Sequence, residues 1–248
     1  MKIIIAPAKK MVVDPDTFGI DALPQYLAQT QEILNQLRRL DYPAAKALWH
    51  CSDKLARPNF QWLQELDLKR QLTPALLAFS GIQYQYMAPD LFTAPALAYV
   101  RDNLRILSGF YGILRPFDGV VPYRLEMQSK LPVAGAHNLY DFWGDRLYRT
   151  LVTGPEPIIN LASQEYVKTI TPYLQHPKQL ITVVFGSLVN DKLVTKATLA
   201  KMARGEMVRY LAEHNAQTAA DVTAFDHPDW TFAPGRSTAT SLVFIYQK

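Results

Sequence analysis

The chain has a single cysteine, Cys51, so it can form no internal disulfide, and its stability must come from an apolar core. Histidine is nearly as scarce. His50, His137, His176, His214 and His227 are scattered, only His50 and Cys51 adjoin, and no zinc-ligand spacing results. No apolar run approaches the roughly 20 residues of a membrane span. The opening MKIIIAPAKK passes from apolar residues to proline too soon for a secretory signal. Gly-rich phosphate loops, the GxGxxG pattern and the GxSxG elbow are missing, which removes sequence support for the common nucleotide folds and for acyl transfer. These absences lead us to expect a cytoplasmic protein outside the membrane, secreted and zinc classes, with no cofactor, no metal and no membrane partner.

About half of the 248 residues are apolar, enough for one large core. Lys and Arg number 26 against 22 Asp and Glu, a formal charge of +4. With a pI near 9.0, this balance leans toward an anionic partner without the density of a histone-like binder. KIII at residues 2–5 reads as a buried strand that delivers Lys9 and Lys10 to its carboxyl end. Helical spacing covers 21–40, with Asp21 as N-cap, then 43–50, 52–67, 94–103, the whole of HNLYDFWGDRLYRTL, and 199–214. ALLAFSG and PIINLA read as strands, Ser163 as a helix cap with Glu165 in the first turn, and VND as a hairpin turn. Strands and helices alternate without repeat or linker, so the expectation is α/β: a single domain over 1–248 with a mixed β-sheet flanked by helices.

Three stretches remain as candidates for chemistry. PYRLEM, read as a strand, puts Arg124 and Glu126 on one face; they pair with each other, or Arg124 and Arg115 point into a cleft where a phosphate supplies the counter-charge. LSGFYG is either a plain turn or a glycine-bracketed phosphate grip of the helix-hairpin-helix kind, with Tyr111 as a core ring or a stacking surface. In LAKMARGEMVRYL, Lys201, Arg204, Gly205 and Arg209 share one helix face. That face is either solvated or, given the cost of an interior glycine, approached closely by a ligand. Glu206 falls on the apolar side and is expected to pair with an arginine. If the strands at 3–5 and 158–161 are parallel neighbours, Lys9, Lys10, Asn160 and Ser163 line one cationic crevice.

PAKK, LRILSGFYGILRPFDGVVPYRLEM, LYDFWGD, NLASQEY and KMARGEMVRY occur in the order in which they occur in the YaaA family, and the chain resembles that family over its whole length. The family comprises cytoplasmic bacterial proteins associated with peroxide stress. The resemblance implies an unusual α/β domain with a helix-hairpin-helix-like element and a positively charged cleft that binds double-stranded DNA. It also implies protection from oxidative damage linked to free iron. Ala6 stands where the family often has Ser, and Met202 follows Lys201 where a second lysine is common.

Two functions are therefore carried forward. In the first, Lys9, Lys10, Arg115, Arg124, Lys201, Arg204 and Arg209 contact the phosphates of double-stranded or bubble-containing DNA while Tyr111 or Tyr123 stacks on a base. In the second, an enzyme acts on a nucleic-acid base or nucleotide, with Glu126, Asp145, Asn160, Ser163 and Glu165 as the catalytic candidates. No protein partner is expected.

Overall fold

Runs of β-branched and aliphatic residues form the centre of the protein. In the computed structural model, which describes residues 1–247 without the side chain of Lys178, eight strands join in one sheet. Lys248, the end of the expected domain, lies outside the described residues. The strands are β1 (Lys2–Ile5), β2 (Leu104–Ser108), β3 (Gly112–Leu114), β4 (Ile158–Leu161), β5 (Leu180–Val189), β6 (Lys192–Val194), β7 (Trp230–Phe232) and β8 (Ser241–Tyr246). Their order is β7-β8-β5-β4-β1-β2-β3, and β6 folds back on β5. The strands β2, β1, β4, β5 and β8 run parallel, while β3, β6 and β7 are antiparallel additions. Parallel strands are covered on both faces, which is why β1 and β4 are apolar almost throughout and why Ile3, Ile4 and Ile5 are all sealed from solvent.

Around this sheet the chain adds α1 (Leu27–Arg38), α2 (Tyr42–Trp49), α3 (Asp53–Glu65), α4 (Ala75–Ala78), α5 (Ile82–Met87), α6 (Ala94–Asn103), α7 (Leu139–Trp143), α8 (Arg146–Leu151), α9 (Gln164–Val167) and α10 (Ala197–Glu213). The architecture is the expected single α/β domain with a mixed sheet flanked by helices.

Several local expectations are corrected. The first long helix begins at Leu27 rather than near Asp21, whose carboxylate instead takes the Arg101 guanidinium at 2.7 Å. The segment 139–151 is two helices, because Gly144 adopts a left-handed φ of 52° that breaks the run. ALLA is a short helix followed by the two-residue strand Phe79–Ser80, since a brief apolar run does not discriminate between the two states. PYRLEM forms no strand: residues 122–126 carry no regular secondary structure and Met127 begins a turn. Asn190 and Asp191 both take positive φ, so the expected hairpin at VND is a two-residue turn.

The LSGFYG segment is a β-hairpin turn joining β2 to β3, not a helix-hairpin-helix grip. The amides of Phe110 and Tyr111 donate to Ser108 Oγ at 3.2 and 2.9 Å and are thereby withdrawn from any phosphate. Tyr111 is fully buried, and its hydroxyl exchanges hydrogen bonds with the Val121 backbone. It is a core ring, because a phenol enclosed in this way offers no face to a base.

Candidate functional site

Counted along the chain, the five parallel strands stand in the order 2-1-3-4-5, so the winding direction reverses between β1 and β4. Ligands of open α/β sheets bind beyond the carboxyl ends of the strands at such a reversal. A cleft of about 560 Å³ lies there. Its walls include the loop after β1 (Ala6 to Lys10), Ser163 and Glu165 after β4, the 123–126 segment, Ser80 to Tyr84, and Lys201 with Arg204 on α10.

Each wall is held by the interior. Lys10–Met11 pairs antiparallel with Phe79–Ser80, and the Tyr84 hydroxyl donates to the Ala6 carbonyl at 3.0 Å, so the post-β1 loop is tied to α5. Behind the 123–126 segment, a Cβ on Gly109 would stand 3.0 Å from backbone atoms of Leu125, Glu126 and Met127. The Trp62 indole donates to Pro122 O, and the Gln128 amide donates to Glu165 Oε1 at 3.2 Å. On the far wall, α10 meets α5 through Gly205, where a Cβ would lie 2.2 Å from Gln83 O. The close approach inferred from this glycine is real, but what approaches is a neighbouring helix and not a ligand.

The cleft gathers Lys9, Lys10, Arg124, Lys201 and Arg204 against two carboxylates, Glu126 and Glu165. The expected pairing of Arg124 with Glu126 does not occur: Glu126 takes Lys9 Nζ at 2.7 Å. Arg124, Leu125 and Glu126 all line the cleft, and it is Lys9 that holds the carboxylate. Arg124 Nε, Arg204 Nε and Gln83 Nε2 are buried and make no hydrogen bond among the described residues. Arg124 also lines a small neighbouring cavity together with Trp49, Trp62 and Phe110. Burial pushes the Arg204 guanidinium down from its ordinary pKa, and no carboxylate offsets that cost. Burial raises the Glu165 carboxyl above its ordinary range, the Gln128 amide opposes this, and neighbouring Glu126 adds to it.

The remaining expected residues lie elsewhere or are spoken for. Arg115 bonds Asp118 at 3.0 Å, an internal acid having supplied the counter-charge assigned to phosphate, and it does not line the cleft. Arg209 pairs with Glu213 one turn on, and Asp145 with Arg149. Asn160 is buried in β4, donating to Thr182 Oγ1 and accepting from the Ala162 amide, so it fixes the strand end behind the cleft. Ser163 sits at the N-cap of α9 and lines the cleft, but its side chain caps nothing. Tyr123 forms part of the wall, stacked on Phe110 with its hydroxyl 2.6 Å from Ser108 Oγ, and its rings and edges are already occupied by Phe110, Tyr111 and Phe79. Glu206 meets His227 at 3.3 Å rather than an arginine, because Arg204 and Arg209 leave the helix on other sides. Gln83, Ser80 and Tyr84 were missed. A polar residue within GIQYQYM carries no motif, and only packing on Gly205 brings Gln83 to the cleft.

A family profile described as peroxide stress protein YaaA matches residues 1–236. The chain belongs to the peroxide stress protein YaaA family. It is 65% identical over 247 residues to a UPF0246 protein of Lactiplantibacillus plantarum, covering all of both chains. It is 56% identical over 245 residues to a UPF0246 protein of Lacticaseibacillus casei, covering 99% of each. A UPF0246 protein of Lachnoclostridium phytofermentans is 47% identical over 245 residues, with 99% of this chain and 96% of that one aligned. The family is named for peroxide stress, and an oxidative-stress role is the functional statement that membership supports. Among the described residues no helix is long and apolar enough to cross a membrane.

Proposed function

We propose that this protein binds DNA by its phosphates in the cleft beyond β1 and β4, and thereby protects it from peroxide damage linked to free iron. The observation that carries this reading is the set of buried donors without partners: Gln83 Nε2, Arg124 Nε and Arg204 Nε. A buried guanidinium N–H left without an acceptor is costly, and a phosphate oxygen removes that cost through a charge-assisted bond. Lys10 and Lys201 at the mouth add counter-charge to a passing backbone. Arg115, Arg209 and Tyr111 take no part in it, and Tyr123 acts as a wall.

The test is DNA affinity measured by fluorescence anisotropy on duplex and bubble DNA across a salt series. Each phosphate neutralised contributes about −0.9 to the slope of log K against log salt on duplex DNA, so replacing Lys201 and Arg204 together by Ala should flatten it by about 2. A salt-independent affinity, or a double variant that binds as the parent does, overturns the proposal.

A second reading, an enzyme acting on a base or nucleotide, has one observation in its favour. Glu165 is raised by burial beside Glu126 in the same cleft, the kind of unequal pair that divides acid from base roles. Released base or altered nucleotide after incubation with a substrate panel would support it.

A further inference from the structure

The cleft is not uniformly cationic. Its donors without partners come from α5, α10 and the 123–126 segment as Gln83, Arg204 and Arg124, while its acceptors, Glu126 and Glu165, cluster with Lys9. The same cleft is lined by the apolar or aromatic side chains of Ile82, Tyr84, Leu125 and Tyr166. A ligand that satisfies this cleft carries an anionic group, an apolar body and hydrogen-bond donors.

Resting on the DNA reading above, we propose that the cleft receives one unpaired deoxynucleoside phosphate unit with an amino-bearing base, its phosphate on Gln83, Arg124 and Arg204 and its amino group on Glu126 and Glu165. The volume, about 560 Å³, is within the range of about 300–1,000 Å³ typical of small-molecule pockets, so one nucleotide rather than a length of duplex is the unit that enters. A base inside a duplex keeps its pairing edge on its partner, so the cleft takes one that is already unpaired or has swung out of the stack. Adenine N6 and cytosine N4 each donate to a carboxylate, whereas thymine turns the O4 acceptor toward the same position and is repelled. The phosphate site alone is indifferent to the base; the carboxylates supply the choice.

The experiment compares duplexes carrying a single central bulged A, C or T with the fully paired duplex, and adds free dAMP and dTMP to tell a DNA-borne nucleotide from a free one. A and C bulges are expected to bind at least about tenfold more tightly than the T bulge, the effect of one hydrogen bond to a charged group. Glu165→Gln and, separately, Glu126→Gln should bring that ratio toward one, because an amide can donate to thymine O4 as well as accept. Two variants are used because Glu165 also anchors the Gln128 amide and its replacement can loosen the wall. Equal binding of all bulges, or a paired duplex that binds as tightly as the A bulge, overturns this inference and leaves salt-dependent DNA binding standing. Binding of dAMP over dTMP without any DNA binding supports the cleft assignment and refutes the DNA reading; no binding of any of these ligands refutes both.

Discussion

Replacing Gly205 by alanine pits helix propensity against packing in a way that the two arguments cannot both survive. In an isolated helix the change should stabilise by about 1 kcal/mol. In this protein the new Cβ would stand 2.2 Å from Gln83 O, 2.8 Å from Met87 N and 3.1 Å from Gln83 C. Carbon contacts are comfortable at about 3.5–4.0 Å, so α5 and α10 must separate by on the order of 1 Å. The obstructing atoms are backbone and cannot rotate aside. Overpacking costs about 1–3 kcal/mol where side chains can adjust, and a backbone obstacle places Gly205→Ala at or above the upper end. Net of propensity, the expected loss is about 2 kcal/mol, a midpoint lowered by roughly 4–8 °C for a chain of this size. Thermal unfolding followed by circular dichroism measures it, with Gly19→Ala as a control because no atom lies within 4 Å of its added Cβ. DNA affinity should fall with it, since Gln83 and Arg204 flank the contact. A Gly205→Ala midpoint at or above that of the parent would refute the argument that these helices meet through the glycine.

Ser108→Ala leaves the buried amides of Phe110 and Tyr111 without their acceptor and the Tyr123 hydroxyl without its partner. At about 1–3 kcal/mol for each of the three groups, a loss of at least about 3 kcal/mol is expected by urea unfolding, and an unchanged midpoint would mean that the turn does not depend on this hydroxyl. Glu165 gives a pH signature. Its folded-state pKa is raised, so the stability it contributes is complete below the ordinary glutamate range and is lost as pH rises through the folded value. Stability curves of Glu165→Gln and the parent should therefore diverge in favour of Gln as pH climbs from the ordinary carboxylate range toward neutrality; parallel curves would show that Glu165 is not held in this environment.

Much of the scaffold was readable because its signals are local. KIII and PIINLA are short β-branched runs, and they form the neighbouring parallel strands that the crevice argument required. The helical spacing over 94–103 is met by α6, which Thr93 caps by accepting from the Ala96 amide. Gly144, by contrast, broke what spacing alone read as one helix, since a period of apolar residues says nothing about a left-handed φ. The site was half legible. Lys9, Lys10, Arg124, Glu126, Ser163, Glu165, Lys201 and Arg204 do converge on one cleft, as charge inside apolar segments led us to look for. Arg115, Arg209 and Asp145 look the same in sequence, yet each found an internal acid or base within four residues.

The sequence by itself determined which segments form the sheet and which carry charge, because both follow from residue type and periodicity along the chain. Only the tertiary structure decided which charges remain without partners. That depends on which side chain arrives first: Lys9 claimed Glu126 and Asp118 claimed Arg115, while Arg124 Nε, Arg204 Nε and Gln83 Nε2 were brought to the same cleft without a hydrogen-bond partner among the described residues.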